Sequence, residues 1–187
     1  MNNTKLKWID PLLQGLAYWI GYKKQLYPYY PLSEGAIVGE SQNLISTRLT
    51  DSQKLFCEMP YVKIEPRFRM NRADLVITDN DIPSVVIEVK RHQAGIKLIE
   101  EDFFKLYGLK SENKKLKCFV LLVSQQELPK KFINKNGVAI RSTLNFNNIA
   151  VKVIRNCKSV SSFNAKSVVN SNYCCLIEVL GHSSDFN

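Results

Sequence analysis

Two apolar segments separated by a short polar stretch constrain the fold of this chain more than any other feature. Residues 72–77 and 85–90 are rich in Val, Ile and Leu, and the intervening 79–83 reads Asp-Asn-Asp-Ile-Pro, which is typical of a turn. A hairpin centred near Asp81 pairs residue 78 with 84, 76 with 86, and 74 with 88 in antiparallel register. The sequence therefore predicts that Asp74 lies directly opposite Glu88.

The charged residues of these two strands form a distinctive set. Because strand residues alternate faces, Glu88 and Lys90 share one face, and Val85, Ile87 and Val89 form the opposite, core-facing one. Two carboxylates about 5 Å apart repel each other by roughly 3 kcal/mol at an effective dielectric constant of about 20. A bound cation relieves this repulsion, and carboxylate oxygens favour Mg²⁺, Mn²⁺ or Ca²⁺. Lys90 alone, neutralising both acids on a solvated strand, is the structural alternative.

The order of elements around this pair extends the pattern. An acidic helix and a strand precede 72–77, and a helix and a further apolar strand follow 85–90. This arrangement resembles the PD-(D/E)XK nuclease superfamily over residues 33–124, with the Glu88-Val89-Lys90 triplet and the earlier acid Asp74 in the motif positions. The residue before Asp74 is Ala73, where the name of the family has proline.

The resemblance implies a fold and a set of site residues. The expected fold is α/β, with a restriction endonuclease-like core in which helices flank a central mixed β-sheet. Asp74 and Glu88 are then the metal ligands, helped by the main-chain carbonyl of Val89, and Lys90 orients or activates the attacking water. Gln93 is a further candidate for contact with the site, because similar nucleases place a glutamine or a lysine near it.

Many members of the superfamily also carry a glutamate on the first core helix. Ser33 is a good N-cap, so the helix is expected to begin at Glu34. Glu34 in the first turn is explained by the helix dipole. Glu40 lies on the edge of the apolar stripe, three residues after Ile37 and four before Leu44. We therefore expect Glu40 to be the helix glutamate that the resemblance implies, binding a second metal ion or a metal-bound water.

The remaining elements follow from apolar periodicity. We predict an amphipathic helix starting at 93 or 95 and ending near 111, and a central buried strand over 117–123. A short helix over 127–134, strands over 149–154 and 173–180, and a serine- and asparagine-rich loop over 157–172 complete the pattern. Residues 1–32 are expected to form an N-terminal appendage: a helix over 10–25 and the aromatic loop 27–31, whose rings either stack on bases or pack on protein.

Composition narrows the class of protein. The chain has 187 residues and is 45% hydrophobic, which suits one domain spanning 1–187, with 33–124 as catalytic core and 125–187 as C-terminal strands and loops. No apolar run is long enough for a membrane span and no signal peptide is apparent, so we expect a cytoplasmic protein. The five cysteines lack metal-binding spacing and are expected to be reduced.

The charge balance indicates the partner. With 26 basic and 17 acidic residues, the net charge is +9, which favours a polyanion. Together with the resemblance, it predicts a Mg²⁺-dependent endonuclease acting on DNA, of a restriction or phage-defence type, with a homodimer for duplex cleavage and Mn²⁺ able to substitute. The alternatives are a junction resolvase and a nucleic-acid-binding subunit that is non-catalytic or needs a partner.

Overall fold

The protein is an α/β structure with one seven-stranded mixed sheet and, in the part described, three flanking α-helices. The computed structural model describes residues 6–27, 29, 32–66, 72–160 and 171–186. The helices are α1 (Ile9–Leu26), α2 (Glu34–Ser46) and α3 (Ile96–Glu112). The strands are β1 (Gln53–Pro60), β2 (Arg72–Asp79), β3 (Ile82–Arg91), β4 (Lys117–Gln125), β5 (Leu144–Phe146), β6 (Ile149–Val160) and β7 (Ser171–His182).

Strand β4 occupies the centre of the sheet, as its apolar run predicts. The strand order is β1-β2-β3-β4-β7-β6-β5, and only the β3–β4 pair is parallel. Helix α3 connects these two parallel strands, since a parallel pair needs a crossover. Every β4 residue from Cys118 to Ser124 is buried, because helices cover both faces of the sheet at this point.

Strand alternation divides the interior into two layers. Val86, Val120 and Ile177 face α3 in one layer, and Ile87, Leu121 and Leu176 face α1 and α2 in the other. The period of two expected for β3 is therefore confirmed, with Val85, Ile87 and Val89 in the layer of α1 and α2.

The β2–β3 hairpin departs from its predicted register near the turn. Val76 pairs with Val86 as predicted, but Thr78 pairs with Pro83 rather than with residue 84, because the register shifts after Ile77. The turn itself contains only Asn80 and Asp81, which have φ values of 51° and 63°. Positive φ at both central residues is the geometry that matches the twist of a two-residue hairpin. The five-residue loop predicted for 79–83 is therefore wrong.

Helix α1 is part of the core and not an appendage, so the predicted separation of residues 1–32 is wrong in this respect. Its apolar face packs on β4, β6 and β7. Trp8, just before the helix, meets Phe119 of β4 edge-on, with ring centroids 6.3 Å apart. In the aromatic loop 27–31, Pro28, Tyr30 and Pro31 lie outside the described residues, and the Tyr29 side chain is exposed.

Two of the elements predicted for the C-terminal third differ in the structure. Residues 127–134 form turns and one β-bridge, Ile133–Ala139, rather than a helix. Pro129 interrupts that segment, and Phe132 and Ile133 are held by backbone hydrogen bonds to the Pro129 carbonyl. Strands β6 and β7 are longer than predicted and replace both ends of the expected 157–172 loop, of which 161–170 lie outside the described residues. None of the helices described is long and apolar enough to cross a membrane.

The integration of α1 into the core is testable with two substitutions on the same helix. Leu16 is fully buried, whereas the Tyr18 side chain is 66% exposed. We expect Leu16→Ala to lower the free energy of unfolding by about 2 to 5 kcal/mol, because it leaves a cavity between helix and sheet. Tyr18→Ala should change it by about 0.5 kcal/mol or less. Urea denaturation measures both, and equal effects would contradict this packing of α1.

Candidate active site

The open end of the β2–β3 hairpin brings Asp74 and Glu88 together. The paired ladder between these strands begins at Leu75–Ile87, one residue inside the two acids. Asp74 Oδ2 instead accepts a hydrogen bond of 2.7 Å from the Val89 main-chain N–H. The side chain of Asp74 thus takes the place of a backbone acceptor, which fixes its carboxylate beside Glu88. The predicted proximity of the two acids is observed, although their backbones are not paired.

Glu88 is a buried carboxyl group that accepts a hydrogen bond from a tyrosine. Its side chain is on the α3 face, it is 7% exposed, and Glu88 Oε1 accepts a hydrogen bond from the hydroxyl of Tyr61. Tyr61 begins the 3-10 turn Tyr61–Lys63 directly after β1 and is itself buried in the layer of α3. A tyrosine from outside the hairpin therefore holds the central acid of the predicted motif.

Both carboxyl groups bind protons more tightly than usual. Burial raises the pKa of Glu88 to about 8, and the nearby Asp74 adds to this effect, while the hydrogen bond from Tyr61 opposes it. Burial also raises the pKa of Asp74, opposed by the Val89 N–H and by the Lys90 charge. A hydrogen bond with Glu88 lowers the pKa of Asp74 in turn. Burial therefore favours the protonated form of Glu88.

Lys90 lies at the end of β3, where it meets acids from both helical layers. Its Nζ is 3.2 Å from Asp102 Oδ2 on α3 and 3.6 Å from Glu34 Oε2 on α2. Burial lowers the pKa of Lys90, but the charges of Asp102 and Glu34 outweigh it, so the net shift is upward. The ammonium group remains charged and lies near enough to Asp74 for the two charges to interact.

Asp102 is a site residue that the sequence analysis missed. It is 1% exposed and also contacts Lys105, whose Nζ is 2.9 Å from Asp102 Oδ1. A charge this well buried must be paired. The sequence carried a signal, because Asp102 lies within the apolar stripe of α3, three residues after Ile99 and next to Phe103.

Glu34, rather than Glu40, reaches the site from α2. Besides its contact with Lys90, Glu34 Oε1 accepts a 3.3 Å hydrogen bond from the Arg91 N–H. Glu40 is half-buried and makes no hydrogen bond or ion pair to any residue that the structure describes. The N-cap is as predicted, since Ser33 Oγ accepts a 3.1 Å hydrogen bond from the Ala36 N–H. The role predicted for Glu40 stays a prediction.

A third carboxylate from the edge strand borders the pair. Cys57 pairs with Leu75 and Met59 with Ala73, so Glu58 lies opposite Asp74. Its charge contributes to the raised pKa of Asp74. Glu58 also has a φ of 53°, an uncommon conformation for a residue with a side chain in a strand. The sequence analysis did not identify Glu58, because an exposed acid on an edge strand carries no distinguishing pattern.

Gln93 and His92 lie in the 3-10 turn His92–Ala94 that precedes α3. Gln93 Nε2 donates a 3.1 Å hydrogen bond to the Gln125 carbonyl, which links the ends of β3 and β4. His92 Nε2 is 3.5 Å from the exposed carboxylate of Glu127. Both side chains are held on the β4 side of the turn, and the predicted contact of Gln93 with the site stays a prediction.

The donors for a metal ion are two carboxyl groups and a carbonyl. In the described part of the chain, no group of three or more His, Cys, Asp or Glu side chains is arranged to hold a metal ion. Asp74 and Glu88 are the two carboxyl groups that meet here, and the Val89 carbonyl stays the further ligand that the resemblance predicts. Such a sparse oxygen set suits Mg²⁺, which usually retains several waters and binds one or two carboxylates. No protein-family model, curated protein or solved structure matches this chain.

The buried Glu88 makes stability depend on pH. Its pKa of about 8 in the folded protein exceeds its ordinary value of 4.5, so between these values the folded state binds the proton and the unfolded state does not. Stability is therefore greatest below the unfolded pKa and falls as pH rises toward 8, by at most about 1.4 kcal/mol per pH unit from this group. Denaturation in EDTA at several pH values should show this slope.

Glu88→Gln is the matched control, because glutamine keeps the shape of the side chain and does not titrate. We expect the slope between pH 5 and 8 to be smaller in this variant by the contribution of Glu88. Identical slopes in both proteins would mean that Glu88 is ionised in the folded state at neutral pH.

Proposed function

We propose that this protein is a Mg²⁺-dependent endonuclease of the PD-(D/E)XK type that hydrolyses phosphodiester bonds in DNA. The observation that carries the proposal is the meeting of the half-buried Asp74 and the buried Glu88 at the open end of one hairpin, with Lys90 near Asp74. Two acids and an ammonium on adjoining strands form the residue set that metal-assisted phosphodiester hydrolysis uses.

The arrangement of elements supports the same reading. Helix α2, strands β1 to β3, helix α3 and central strand β4 follow one another in the chain and lie next to one another in the structure. This is the element order of the restriction endonuclease-like core that the sequence resembles. The order and the site residues together support the proposal, since fold alone does not define chemistry.

The residues present fit a divalent cation. The positive charges that act on the pair, Lys90 on Asp74 and Lys105 on Glu88, are themselves paired with Asp102. A bound cation would gain both carboxylates as ligands, and the Val89 carbonyl is the further ligand that the resemblance implies. When bound, Mg²⁺ supplies charge stabilisation on the phosphate and a more acidic water.

The protein residues have distinct roles in this proposal. Asp74 and Glu88 hold the ion, and the Val89 N–H fixes the orientation of Asp74. Lys90 stabilises the negative charge that develops on the scissile phosphate, and its position at the strand end lets it orient the attacking water. Asp102 pairs with the Lys90 ammonium group and holds it in place.

The substrate class is inferred from charge. The net charge of +9 favours a polyanion, and the clustered lysines at 110, 114, 115 and 117 and at 130, 131 and 135 offer phosphate contacts. Duplex cleavage by a protein with one site per chain needs a homodimer or two successive nicks. A resolvase would differ by preferring branched DNA.

The proposal is tested by incubating supercoiled plasmid with the protein in Mg²⁺, in Mn²⁺ and in EDTA. We expect nicking or linearisation in either metal and none in EDTA. Asp74→Ala should abolish cleavage, and Lys90→Ala should lower its rate by about 100-fold or more, because each removes charge stabilisation from the reacting phosphate. Circular dichroism establishes that the variants are folded.

Lys54→Ala is the control for Lys90→Ala. Lys54 forms an exposed ion pair with Asp81 at the other end of the same hairpin, so its loss should leave the rate unchanged. Metal-dependent cleavage that persists in Asp74→Ala would assign the activity to a contaminant. Salt-dependent DNA binding without cleavage in either metal would favour the non-catalytic or partner-dependent subunit.

The helix acid is tested by a matched pair of substitutions. Glu34 contacts Lys90 and Glu40 does not, so Glu34→Gln should lower the cleavage rate more than Glu40→Gln does. Initial rates at saturating Mg²⁺ measure the difference. A larger effect of Glu40→Gln would restore the assignment that the resemblance implies.

A further inference from the structure

Tyr61 donates a hydrogen bond to the carboxyl group of Glu88. Its hydroxyl donates to Glu88 Oε1, and its ring is 1% exposed. No motif in the sequence marks this tyrosine. We propose that Tyr61 is a positioning residue that orients Glu88 for divalent metal binding; this role rests on the proposed function.

The backbone around Tyr61 is fixed on both sides. Pro60 is still paired with Arg72 in the β1–β2 ladder, so the preceding residue belongs to the sheet. The Tyr61 carbonyl then accepts hydrogen bonds of 2.8 Å from the N–H groups of Ile64 and Glu65. The position of the hydroxyl is therefore set by the sheet and the 3-10 turn, with little freedom left in the ring.

The hydrogen bond selects one orientation of the Glu88 carboxyl group. With Oε1 held by Tyr61, the other oxygen, Oε2, is left for Asp74 and the cation. Metal-ligating carboxylates are commonly hydrogen-bonded by a neighbouring group, and losing that partner typically weakens metal affinity by about 10- to 100-fold.

Asp74 and Lys90 are also each held in one orientation by a neighbouring group. Asp74 is fixed by the Val89 N–H and Lys90 by Asp102. Glu88 is the most buried of the three residues. A wrong orientation of its carboxyl group would therefore lower the metal affinity more than a wrong orientation of Asp74 or Lys90. Tyr61 supplies that restraint from a part of the chain distant in sequence.

The test is Mn²⁺ binding to the wild type and to Tyr61→Phe, measured by calorimetry without DNA. Phenylalanine keeps the ring and removes only the donor. We expect Tyr61→Phe to bind Mn²⁺ about 10-fold more weakly or worse. Tyr107→Phe is the matched control, because Tyr107 lies on α3 against His182, away from the two acids. Its affinity should equal that of the wild type.

The outcomes separate this role from the proposed function. Equal or tighter Mn²⁺ binding by Tyr61→Phe would overturn the positioning role and leave the nuclease proposal intact. A wild type that binds no Mn²⁺ would overturn both. A purely structural tyrosine would lower the melting temperature without changing the affinity of the folded protein, so thermal melts are recorded in parallel.

A second measurement covers the case in which Tyr61→Phe does not fold. Wild-type protein labelled with 3-fluorotyrosine contains eight fluorinated tyrosines. One of their ¹⁹F signals should shift on addition of Mg²⁺, with the midpoint that calorimetry gives for Mg²⁺ binding. If no tyrosine signal shifts at saturating Mg²⁺, the hydroxyl of Tyr61 does not sense the ion and the inference fails.

Discussion

The burial of Glu88 beside Asp74 is the constraint on which the rest of this structure depends. Removing one carboxyl group from water is costly, and placing a second beside it adds repulsion. Burial and the nearby Asp74 raise the pKa of Glu88 to about 8, so this carboxyl group takes up a proton more readily than usual. Stability alone would favour an apolar residue on β3, so the acids indicate a task other than folding.

The neighbours of the pair argue against the simplest structural explanation, in which Lys90 neutralises both acids. The Lys90 Nζ lies 3.2 Å from Asp102 and 3.6 Å from Glu34. Its charge also acts on Asp74, but it is shared with these two other carboxylates. Lys90 therefore neutralises the pair only in part, and a cation from solution would add further positive charge.

The parts of the fold that follow from local pattern were predictable. The apolar run of β4, the alternation along β3 and the Ser33 cap each depend on a few neighbouring residues. The bulge after Ile77 was not predictable, because it depends on how the two-residue turn meets the sheet twist. Helix α1 was misjudged as an appendage for a similar reason: its apolar face indicates burial but does not say on which surface.

The residues of the candidate site likewise fall into two groups: some were predictable from local sequence, and others depend on tertiary packing. Asp74, Glu88 and Lys90 are close in sequence, and strand register was enough to bring them together. Tyr61 and Asp102 come from the end of β1 and the middle of α3, so their contacts depend on tertiary packing. Glu34 was explained by the helix dipole, which is a sufficient reason for an acid there and thus hid its contact with Lys90.

The chain as a whole is basic, whereas the candidate site is rich in acidic residues, and this contrast affects how the proposed activity would depend on metal. The whole chain carries a net charge of +9, yet five acids lie at or beside the site: Glu34, Glu58, Asp74, Glu88 and Asp102. Basic residues elsewhere would attract a polyanion, while the acids oppose a phosphate at the site itself. A bound cation would offset the repulsion between these acids and the phosphate. Under the proposed function, bound metal would therefore raise the affinity of the protein for DNA, and bound DNA would raise its affinity for metal by the same factor, as linkage requires.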